Sequence, residues 1–253
     1  MEDEDEDRYW NDIDVVVVDV GSTQWRAGFA SDEGPRLIMN VKPGESDEIR
    51  WRHIFEELES DPSDVAVLVS ESPGVAVDQR EHMATFLFRE LNVAALYCVA
   101  TPIMGAYGTD TVTGIIVDIG EHTTAVWAAF DGYPIVSAAI IVPAGGATCT
   151  DCVVSQLASL GFAPPSAEEA RVVAQEIKEA HAHVAIDPSK KKKAPVVELT
   201  LADSTTIRFG GEDRSRCAEH LFDSGELTSH QPIDRAIIEV GCSICLHREP
   251  ALP

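Results

Sequence analysis

The chain contains the same strand–turn–strand unit twice, and this repeat limits its fold more than any other feature of the sequence. The first unit covers residues 13–30 and the second covers residues 114–130. Each begins with a run of β-branched and other apolar residues, which is typical of a strand that is covered on both faces. Each first strand ends in Asp-x-Gly, at Asp19 and at Asp118. We therefore predict two β-hairpins of the same design within an α/β fold.

These two turns have a specific chemical use. Backbone N–H groups that point outward from a turn can cradle phosphate oxygens, and an aspartate at the end of a strand can hold a hydrated Mg²⁺. Two such turns, one from each of two lobes, would hold a nucleotide from both sides. The alternative is that Asp19 and Asp118 are strand-end residues that came with the fold and bind nothing. The residues themselves leave both interpretations open.

Hydrophobic periodicity predicts further helices and strands around the hairpins. Helices are predicted at 49–58, 78–91, 102–107, 151–160, 166–185, 216–222 and 233–239. Strands are predicted at 65–69, 96–99, 135–142, 196–201 and 205–209. The helix at 49–58 is expected to bury a stripe formed by Ile49, Ile54, Phe55 and Leu58. Residues 40–47, which precede this helix, are expected to form a loop.

The charge of the chain restricts its partners. The 253 residues carry a formal net charge of −24, from 43 acidic and 19 basic residues. This charge disfavours nucleic acid and anionic membrane as direct ligands and allows basic protein partners. No apolar run is long enough to span a bilayer, and the N-terminus lacks the pattern of a signal peptide. Residues 1–12, which begin with MEDEDED, are expected to be a disordered acidic tail.

Several segments resemble, in the same order, the motifs of one protein family. These segments cover residues 16–36, 67–83, 114–132, 176–184 and 214–222. The first (VVVDVGSTQWRAGFASDEGPR) and the third (GIIVDIGEHTTAVWAAFDG) resemble the two phosphate loops of actin and the actin-related proteins. The chain is therefore identified as a divergent member of the actin family that is shortened at its C-terminus.

The resemblance implies the actin-like ATPase fold, a two-lobed α/β fold of the ribonuclease H-like type. The first lobe is expected at 13–108 and the second at 109–253, with an outer subdomain of the second lobe at 145–230. Between Arg36 and Trp51 the family carries a small subdomain that docks onto the next protomer of a filament, and here it is reduced to a short connector. The chain ends at Pro253, before the family's third nucleotide motif, so the second lobe is expected to be incomplete.

The resemblance also implies a set of nucleotide-binding positions. They are Asp19, Gly21, Ser22, Thr23, Arg26, Asp118, Gly120, Glu121, Gly146, Lys178 and Glu179, with Asp19 and Asp118 as the Mg²⁺ positions. Thr23 replaces a glycine of the family, Arg26 a lysine and Glu121 an aspartate. His122 replaces a glycine, and its side chain would intrude where the backbone must approach phosphate closely. For Lys178 and Glu179, an exposed charged pair without a ligand is the alternative interpretation.

The positions that orient the attacking water in the family are also changed. Thr101 replaces a glutamine and Ala125 replaces a histidine, so no catalytic residue is predicted. The resemblance implies two equal alternatives for the cofactor: weak binding of ATP or ADP with Mg²⁺, or no nucleotide at all. The expected function is that of a pseudo-ATPase, a structural or scaffolding subunit of a cytoskeletal-type protein complex. The alternatives are a nucleotide-binding ATPase that forms filaments, and a truncated product of a longer gene without a separate role.

The shortened C-terminus suggests an obligate partner. Residues 15–18 and 115–117 are expected to have less cover than the family gives these strands, and exposed sheet surfaces aggregate or find a partner. We therefore expect a protein complex that covers this surface, no homopolymer, and no direct contact with nucleic acid or membrane. The expected location is the cytoplasm, with the cytoskeleton, and the nucleus is an alternative.

Two Cys-x-x-Cys pairs, Cys149 with Cys152 and Cys242 with Cys245, raise the question of a zinc site with His247 nearby. In the fold implied by the resemblance the pairs lie in different subdomains, so reduced core or surface thiols are the favoured interpretation. A helix start can make a thiol acidic and reactive, which is a further hypothesis for Cys149.

Overall fold

The computed structural model describes residues 13–72, 74–162, 164–184, 195–200, 206–222 and 231–246. The predicted acidic tail at 1–12, the hairpin turn at 203–204 and His247 lie outside these ranges. The described residues form two compact units. The first contains the residues up to Thr113 together with Ala129–Tyr133, and the second contains Gly114–Ala128 and the residues from Pro134 onward.

Strands and helices alternate through most of the described chain. The strands are β1 (Asp14–Val20), β2 (Gln24–Phe29), β3 (Leu37–Asn40), β4 (Val65–Glu71), β5 (Ala95–Ala100), β6 (Gly114–Ile119), β7 (Thr124–Phe130), β8 (Tyr133–Pro134), β9 (Ile140–Val142), β10 (Val197–Thr200) and β11 (Thr206–Phe209). The helices are α1 (Asp47–Glu57), α2 (Val77–Arg89), α3 (Thr101–Gly108), α4 (Gly146–Ser159), α5 (Ala167–His181), α6 (Gly211–Glu219) and α7 (Ile233–Leu246). Within the described ranges, no helix is long and apolar enough to cross a membrane.

The first unit is built on a five-stranded mixed sheet in the order β3-β2-β1-β4-β5. Strand β1 is antiparallel to β2 and parallel to β4, as the first predicted hairpin and the following βα segment require. Helices α1 and α2 cover one face of this sheet. The core between them is formed by Val16, Val18, Trp25, Trp51, Ile54, Phe55, Val67, Val69, Phe86 and Leu87.

The prediction that β1 is covered on both faces is wrong. Val16 and Val18 are fully buried against the helices, whereas Val15 and Val17 on the opposite face are only half-buried. The continuous apolar run therefore reflects one packed face and one partly open face. The sequence alone could not separate these cases because both faces carry valine.

The buried stripe of α1 also differs from the prediction. Ile49 is 57% exposed, and Trp51 takes its place in the core with 1% exposure. The ring of Trp51 meets the ring of Trp25 edge to face, with centroids 5.3 Å apart. Trp51 lies three residues before Ile54, which is the spacing of one helix face, and its large apolar ring gains more from burial than isoleucine does.

Residues 41–46 form the short connector between β3 and α1. The predicted loop at 40–47 is confirmed over these residues, while β3 was not predicted. The side chain of Arg50 holds the connector: its Nε donates to Glu45 Oε2 at 3.1 Å and its Nη2 donates to the Glu45 carbonyl oxygen at 2.8 Å. Arg50 also pairs with Asp47 and lies over the Trp25 ring. The connector is thus a tight turn that the Arg50 side chain holds closed, and we call it the closed elbow.

The second unit contains two packed regions. In the first, α7 packs through Ile233, Ala236 and Val240 against β7 and β9. In the second, helices α4, α5 and α6 pack with the antiparallel pair β10–β11 around Leu157, Ile177 and Phe209. The predicted hairpin of β6 and β7 and the predicted strands of β10 and β11 are confirmed.

Several predicted boundaries move. The strand predicted at 135–142 is a 3-10 helix at Val136–Ala138 followed by the short strand β9, since Ser137 and the neighbouring alanines favour a strand only weakly. Helix α4 begins at Gly146 rather than at residue 151, and α6 begins at Gly211 rather than at residue 216. Helix α5 begins with a side-chain cap, because Ser166 Oγ accepts a hydrogen bond from the Glu169 N–H at 3.1 Å.

Candidate functional site: two hairpin turns

The turn of the first hairpin is closed by backbone contacts at Gly21. Its N–H donates to the Gln24 carbonyl oxygen at 3.1 Å. A Cβ at this position would lie only 2.4 Å from the same oxygen, so the turn requires glycine. Ser22 and Thr23 follow at the tip and are exposed. The turn therefore has the shape that was predicted, with a hydroxyl-bearing side chain at each tip position.

Both carboxylate oxygens of Asp19 are bound by this chain's own residues. Arg26, its partner across the β1–β2 ladder, places Nη1 at 3.1 Å from Asp19 Oδ2. The Ser70 hydroxyl donates to Asp19 Oδ1 at 2.6 Å and accepts from the Val20 N–H at 2.9 Å. Ser70 is only 1% exposed. Arg26 thus neutralises the charge of Asp19 at Oδ2, and the Ser70 hydroxyl fixes the position of Oδ1.

Ser70 was not among the predicted site residues. It lies opposite Asp19 because β4 runs parallel to β1. The available signal is that Ser70 is the first polar residue after the apolar run of β4, at the carboxyl end of the strand, where polar residues of neighbouring parallel strands meet. That signal places Ser70 at the carboxyl edge of the sheet, but it does not identify Asp19 as its hydrogen-bond partner.

These contacts decide how well the first turn fits a magnesium nucleotide. The resemblance implies an aspartate that faces a hydrated Mg²⁺ and a cation that faces phosphate. Here the cation, Arg26, is turned toward the aspartate and toward the Gln24 side chain, which accepts from its Nη2 at 2.9 Å. The described arrangement does not fit the bound group unless Arg26 leaves Asp19. Both side chains are partly exposed, so the pair can open.

The turn of the second hairpin is joined to the start of α4 through the backbone. The N–H of Gly146 donates to the Gly120 carbonyl oxygen at 2.9 Å, and the N–H of Ala147 donates to the Glu121 carbonyl oxygen at 2.7 Å. These bonds satisfy N–H groups that a helix start otherwise leaves without a partner. They explain why α4 begins at a glycine, ahead of the predicted start.

Gly145 allows this close approach of the two backbones, and Gly146 leaves room for the Glu121 side chain. A Cβ at Gly145 would lie 2.2 Å from the Gly120 carbonyl oxygen, and a Cβ at Gly146 would lie 2.5 Å from Glu121 Oε2. Gly146 was predicted as a site residue and Gly145 was not. The Gly-Gly pair before an apolar run was the signal available for it. The second turn therefore keeps a glycine cradle, with the Glu121 carboxylate beside it.

Lys178 also belongs to this turn region. Its Nζ donates to the Gly146 carbonyl oxygen at 3.2 Å and to Thr150 Oγ1 at 3.0 Å. Glu179 is exposed and accepts from the Gln175 side chain at 2.9 Å. Lys178 is therefore not one half of an exposed charged pair with Glu179. It connects α5 to the first turn of α4.

The remaining predicted positions lie close to the hairpins in sequence. Asp118 is half-buried at the end of β6, and His122 is exposed in the turn. Ala125 is buried in β7 with 4% exposure, and its methyl group cannot hydrogen-bond to water. Thr101 is the first residue of α3. The predicted residues are thus grouped as two half-sites, Asp19 to Arg26 in the first unit and Asp118, Glu121, Gly146 and Lys178 in the second.

The cysteines do not support the hypothesis of a reactive Cys149. Burial raises the pKa of the Cys149 thiol to about 11, although the nearby Lys178 acts in the opposite direction. In the described part of the chain, no group of three metal-binding side chains is present. The side chain of Cys245 and the whole of His247 lie outside that part, so the favoured interpretation of the second pair, reduced thiols rather than a zinc site, stays a prediction.

A comparison with protein-family models gives a match to the family described as Actin over residues 41–167. The matched range is just over half of the chain. It contains the second hairpin, the start of α4, and Thr101 and Ala125, the two positions at which the resemblance places the family's water-orienting residues. The first hairpin and Lys178 lie outside it.

Proposed function

The chain belongs to the actin family, and on that premise we propose that it works as a structural or scaffolding subunit of a larger cytoskeletal-type complex, with little or no ATP hydrolysis. The observation that carries this proposal is the open face of the first unit's sheet. A family member with an unfilled apolar face and an altered nucleotide half-site is suited to being held by other proteins. We further propose that it acts in the cytoplasm with the cytoskeleton, with the nucleus as an alternative.

The open face carries a continuous apolar row. Val17 is paired with Gly28 on one side and with Leu68 on the other, and Leu68 is paired with Tyr97. Strands are spaced about 4.8 Å apart, so this row extends over about 14 Å. Val17 and Leu68 are half-buried, and Tyr97 is 65% exposed.

A shallow groove lies beside this row, along β2 and the turn between β2 and β3. It has a volume of about 320 Å³ and is lined by Val17, Gly28, Phe29 and Pro35, with Asp19, Arg26 and Asp32 at its edge. Ile38, on the same face of the edge strand β3, is 57% exposed. Contiguous apolar surface of this kind marks interaction sites in soluble proteins. A partner polypeptide on this face would cover the row and the groove together.

The first half-site supports the proposal of weak or absent ATP hydrolysis. Arg26 and Ser70 bind the Asp19 carboxylate, so nucleotide binding there has to displace a contact that the chain already makes. Ala125 offers no hydrogen-bonding group at a position where the family orients water. Losing such positioning typically costs on the order of 10²-fold or more in rate.

A purification with matched variants tests the scaffolding proposal. The tagged chain is purified from its own cells, and its mass in solution is measured by light scattering. We expect a complex, and we expect Tyr97→Glu on the open face to release the chain from it. Val172→Glu, a substitution of an exposed valine on α5, is the control and should leave the complex intact. A monodisperse monomer with a sharp cooperative melt contradicts the proposal.

The second candidate function is a nucleotide-binding ATPase that forms filaments. The glycine cradle of Gly145 and Gly146, with Glu121 and Lys178 beside it, favours it. Calorimetric titration with Mg·ATP separates the two candidates. Saturable binding that Asp118→Ala abolishes, together with turnover, would favour the ATPase. Binding without turnover is compatible with a structural subunit.

A further inference from the structure

A second cavity lies on the opposite, helix-covered side of the first sheet, so it is separate from the open face. It has a volume of about 500 Å³ and lies where α1 and α2 begin, beyond the ends of β1 and β4. Its wall includes Val20, Val69 to Ser72, the first residues of α1, and α2 residues as far as Phe86. We call it the α1–α2 groove. Its volume is within the range of ligand pockets, about 300–1,000 Å³.

The floor of the groove is apolar and aromatic. Trp25, Trp51, Val69 and Phe86 form its base and are buried. Val75 and Met83 line the sides and are half-buried. An aliphatic side chain placed here would leave water and contact the flexible Met83 side chain, which adapts to irregular partners.

The rim of the groove is acidic. Four carboxylates line it, those of Asp47, Glu48, Glu71 and Asp78. Two of them are already paired with arginines. Arg80 Nε donates to both oxygens of Glu71, at 2.7 and 3.0 Å, and Arg50 pairs with Asp47.

The other two rim carboxylates, Glu48 and Asp78, are available to a ligand. Among the described residues, the only ion-pair partner of Glu48 is the exposed imidazole of His82, at 3.3 Å, and this contact is an ion pair only when His82 is protonated. Asp78 makes no ion pair with another described residue. The mouth of the groove therefore presents two carboxylates above an apolar floor.

From this arrangement we propose that the α1–α2 groove binds a segment of a partner protein that inserts one aliphatic side chain flanked by lysine or arginine. The apolar floor accepts the aliphatic group, and Glu48 and Asp78 accept the flanking cations. A phosphate-bearing ligand is disfavoured because the carboxylates repel it. A second copy of this chain is disfavoured for the same reason, since each copy has a net charge of −24.

Short synthetic peptides test the proposal without knowledge of the natural partner. The probe is acetyl-Gly-Arg-Leu-Arg-Gly-amide, titrated into the full chain by calorimetry and by tryptophan fluorescence, since two tryptophans lie in the groove. We expect a dissociation constant of about 1 mM or tighter. Replacing the leucine of the probe by serine should weaken binding at least about tenfold. Replacing both arginines by glutamine should weaken it about fivefold.

Variants of the chain locate the binding site. Glu48→Gln with Asp78→Asn should lower the affinity for the probe about fivefold. Glu168→Gln with Glu176→Gln removes the same charge from exposed positions on α5 and should change the affinity less than about twofold. Val75→Phe fills the groove without changing the charge and should abolish binding. The melting curve of each variant is measured first, so that a loss of folding is not read as a loss of affinity.

Three results overturn the proposal. One is equal binding of the leucine and serine probes, which would mean that the peptide binds only to diffuse negative charge. The second is an equal loss of affinity in the control variant on α5. The third is unchanged binding to a folded Val75→Phe variant, which would place the peptide elsewhere on the molecule.

Discussion

The guanidinium of Arg26 lies 3.1 Å from the carboxylate of Asp19, directly across the antiparallel pair of β1 and β2. The two side chains that the family resemblance assigns to phosphate and to Mg²⁺ therefore neutralise each other. Both are partly exposed, and a pair of this kind contributes about 0–1 kcal/mol to stability. The ion pair is easily opened, and the buried Ser70 hydroxyl does more to fix Asp19.

Replacing Ser70 tests the importance of this hydroxyl. Ser70→Ala removes a buried donor to Asp19 and a buried acceptor for the Val20 N–H. We expect the free energy of unfolding to fall by about 1–3 kcal/mol, measured by urea denaturation. Ser63→Ala, which removes a hydroxyl contact to Asp61 at the surface, is the control and should cost less than about 0.5 kcal/mol. An equal loss of stability in both variants would show that the hydrogen bonds of Ser70 to Asp19 and Val20 contribute no more than a surface hydroxyl contact does.

The two neighbouring arginines of α1 should differ in their effect on stability. Arg50 is buried and has several partners in the connector, so Arg50→Ala should lower the free energy of unfolding by about 2–4 kcal/mol. Arg52 is exposed, with Glu90 at 3.8 Å and the Phe86 ring at 5.2 Å. Arg52→Ala should cost about 1 kcal/mol or less. Chemical denaturation measures the loss in both variants. Similar losses of unfolding free energy would contradict the conclusion that Arg50 holds the connector closed.

Thiol reactivity should separate the cysteines. Burial raises the pKa of Cys149 and of Cys217 to about 11, from an ordinary value of 9.0. Only the thiolate reacts readily with iodoacetamide, so both should stay unlabelled in the folded chain at about pH 8, where the exposed Cys242 reacts. Peptide mass mapping after brief labelling shows the order in which the cysteines react. Fast labelling of Cys149 in the folded chain would contradict it.

The same thiols predict how stability changes with pH. A thiol whose pKa is higher in the folded chain favours folding fully below the unfolded pKa of 9.0. That contribution is lost as the pH rises toward about 11. The free energy of unfolding should therefore fall across this window, and the fall should be smaller in Cys149→Ala. A steeper fall in that variant would reverse the expected sign.

No ATP turnover above background is expected. Ala125 has no side-chain group that could orient a water molecule, and Thr101 has a shorter side chain than the glutamine that the resemblance implies at its position. Phosphate release is measured over hours with Mg·ATP, and Asp118→Ala serves as the control for a contaminating ATPase. A steady-state rate that this substitution abolishes would contradict the proposed pseudo-ATPase.

No actin-like homopolymer is expected from the purified chain. The connector at 41–46 is a closed elbow held by Arg50 and offers no loop long enough to bridge protomers. Electron microscopy of the chain in Mg²⁺ and salt checks this expectation. Regular helical filaments would refute it.

The repeated hairpin could be predicted from sequence because its signal is local. Runs of apolar residues on either side of a glycine turn predict β6 and β7 without reference to the rest of the chain. Ser70 could not be predicted as the partner of Asp19, since parallel pairing brings together two residues that are 51 positions apart in the chain. Trp51 was missed for a related reason. The burial of α1 depends on Trp25, which belongs to another element, and not only on the spacing within the helix.

The backbone bonds between the second turn and α4 have a consequence for how such a site changes over time. A hydrogen bond from the Gly146 N–H to the Gly120 carbonyl oxygen does not depend on any side chain. Mutational drift at Glu121 and His122 can therefore alter the chemistry of the turn while its shape persists. Gly145 does not share this freedom, because a Cβ there would lie 2.2 Å from the backbone carbonyl oxygen of Gly120, whereas a Cβ at Gly146 would meet only the movable end of the Glu121 side chain at less than 3 Å. The backbone shape of this turn can therefore persist while the side chains around it change.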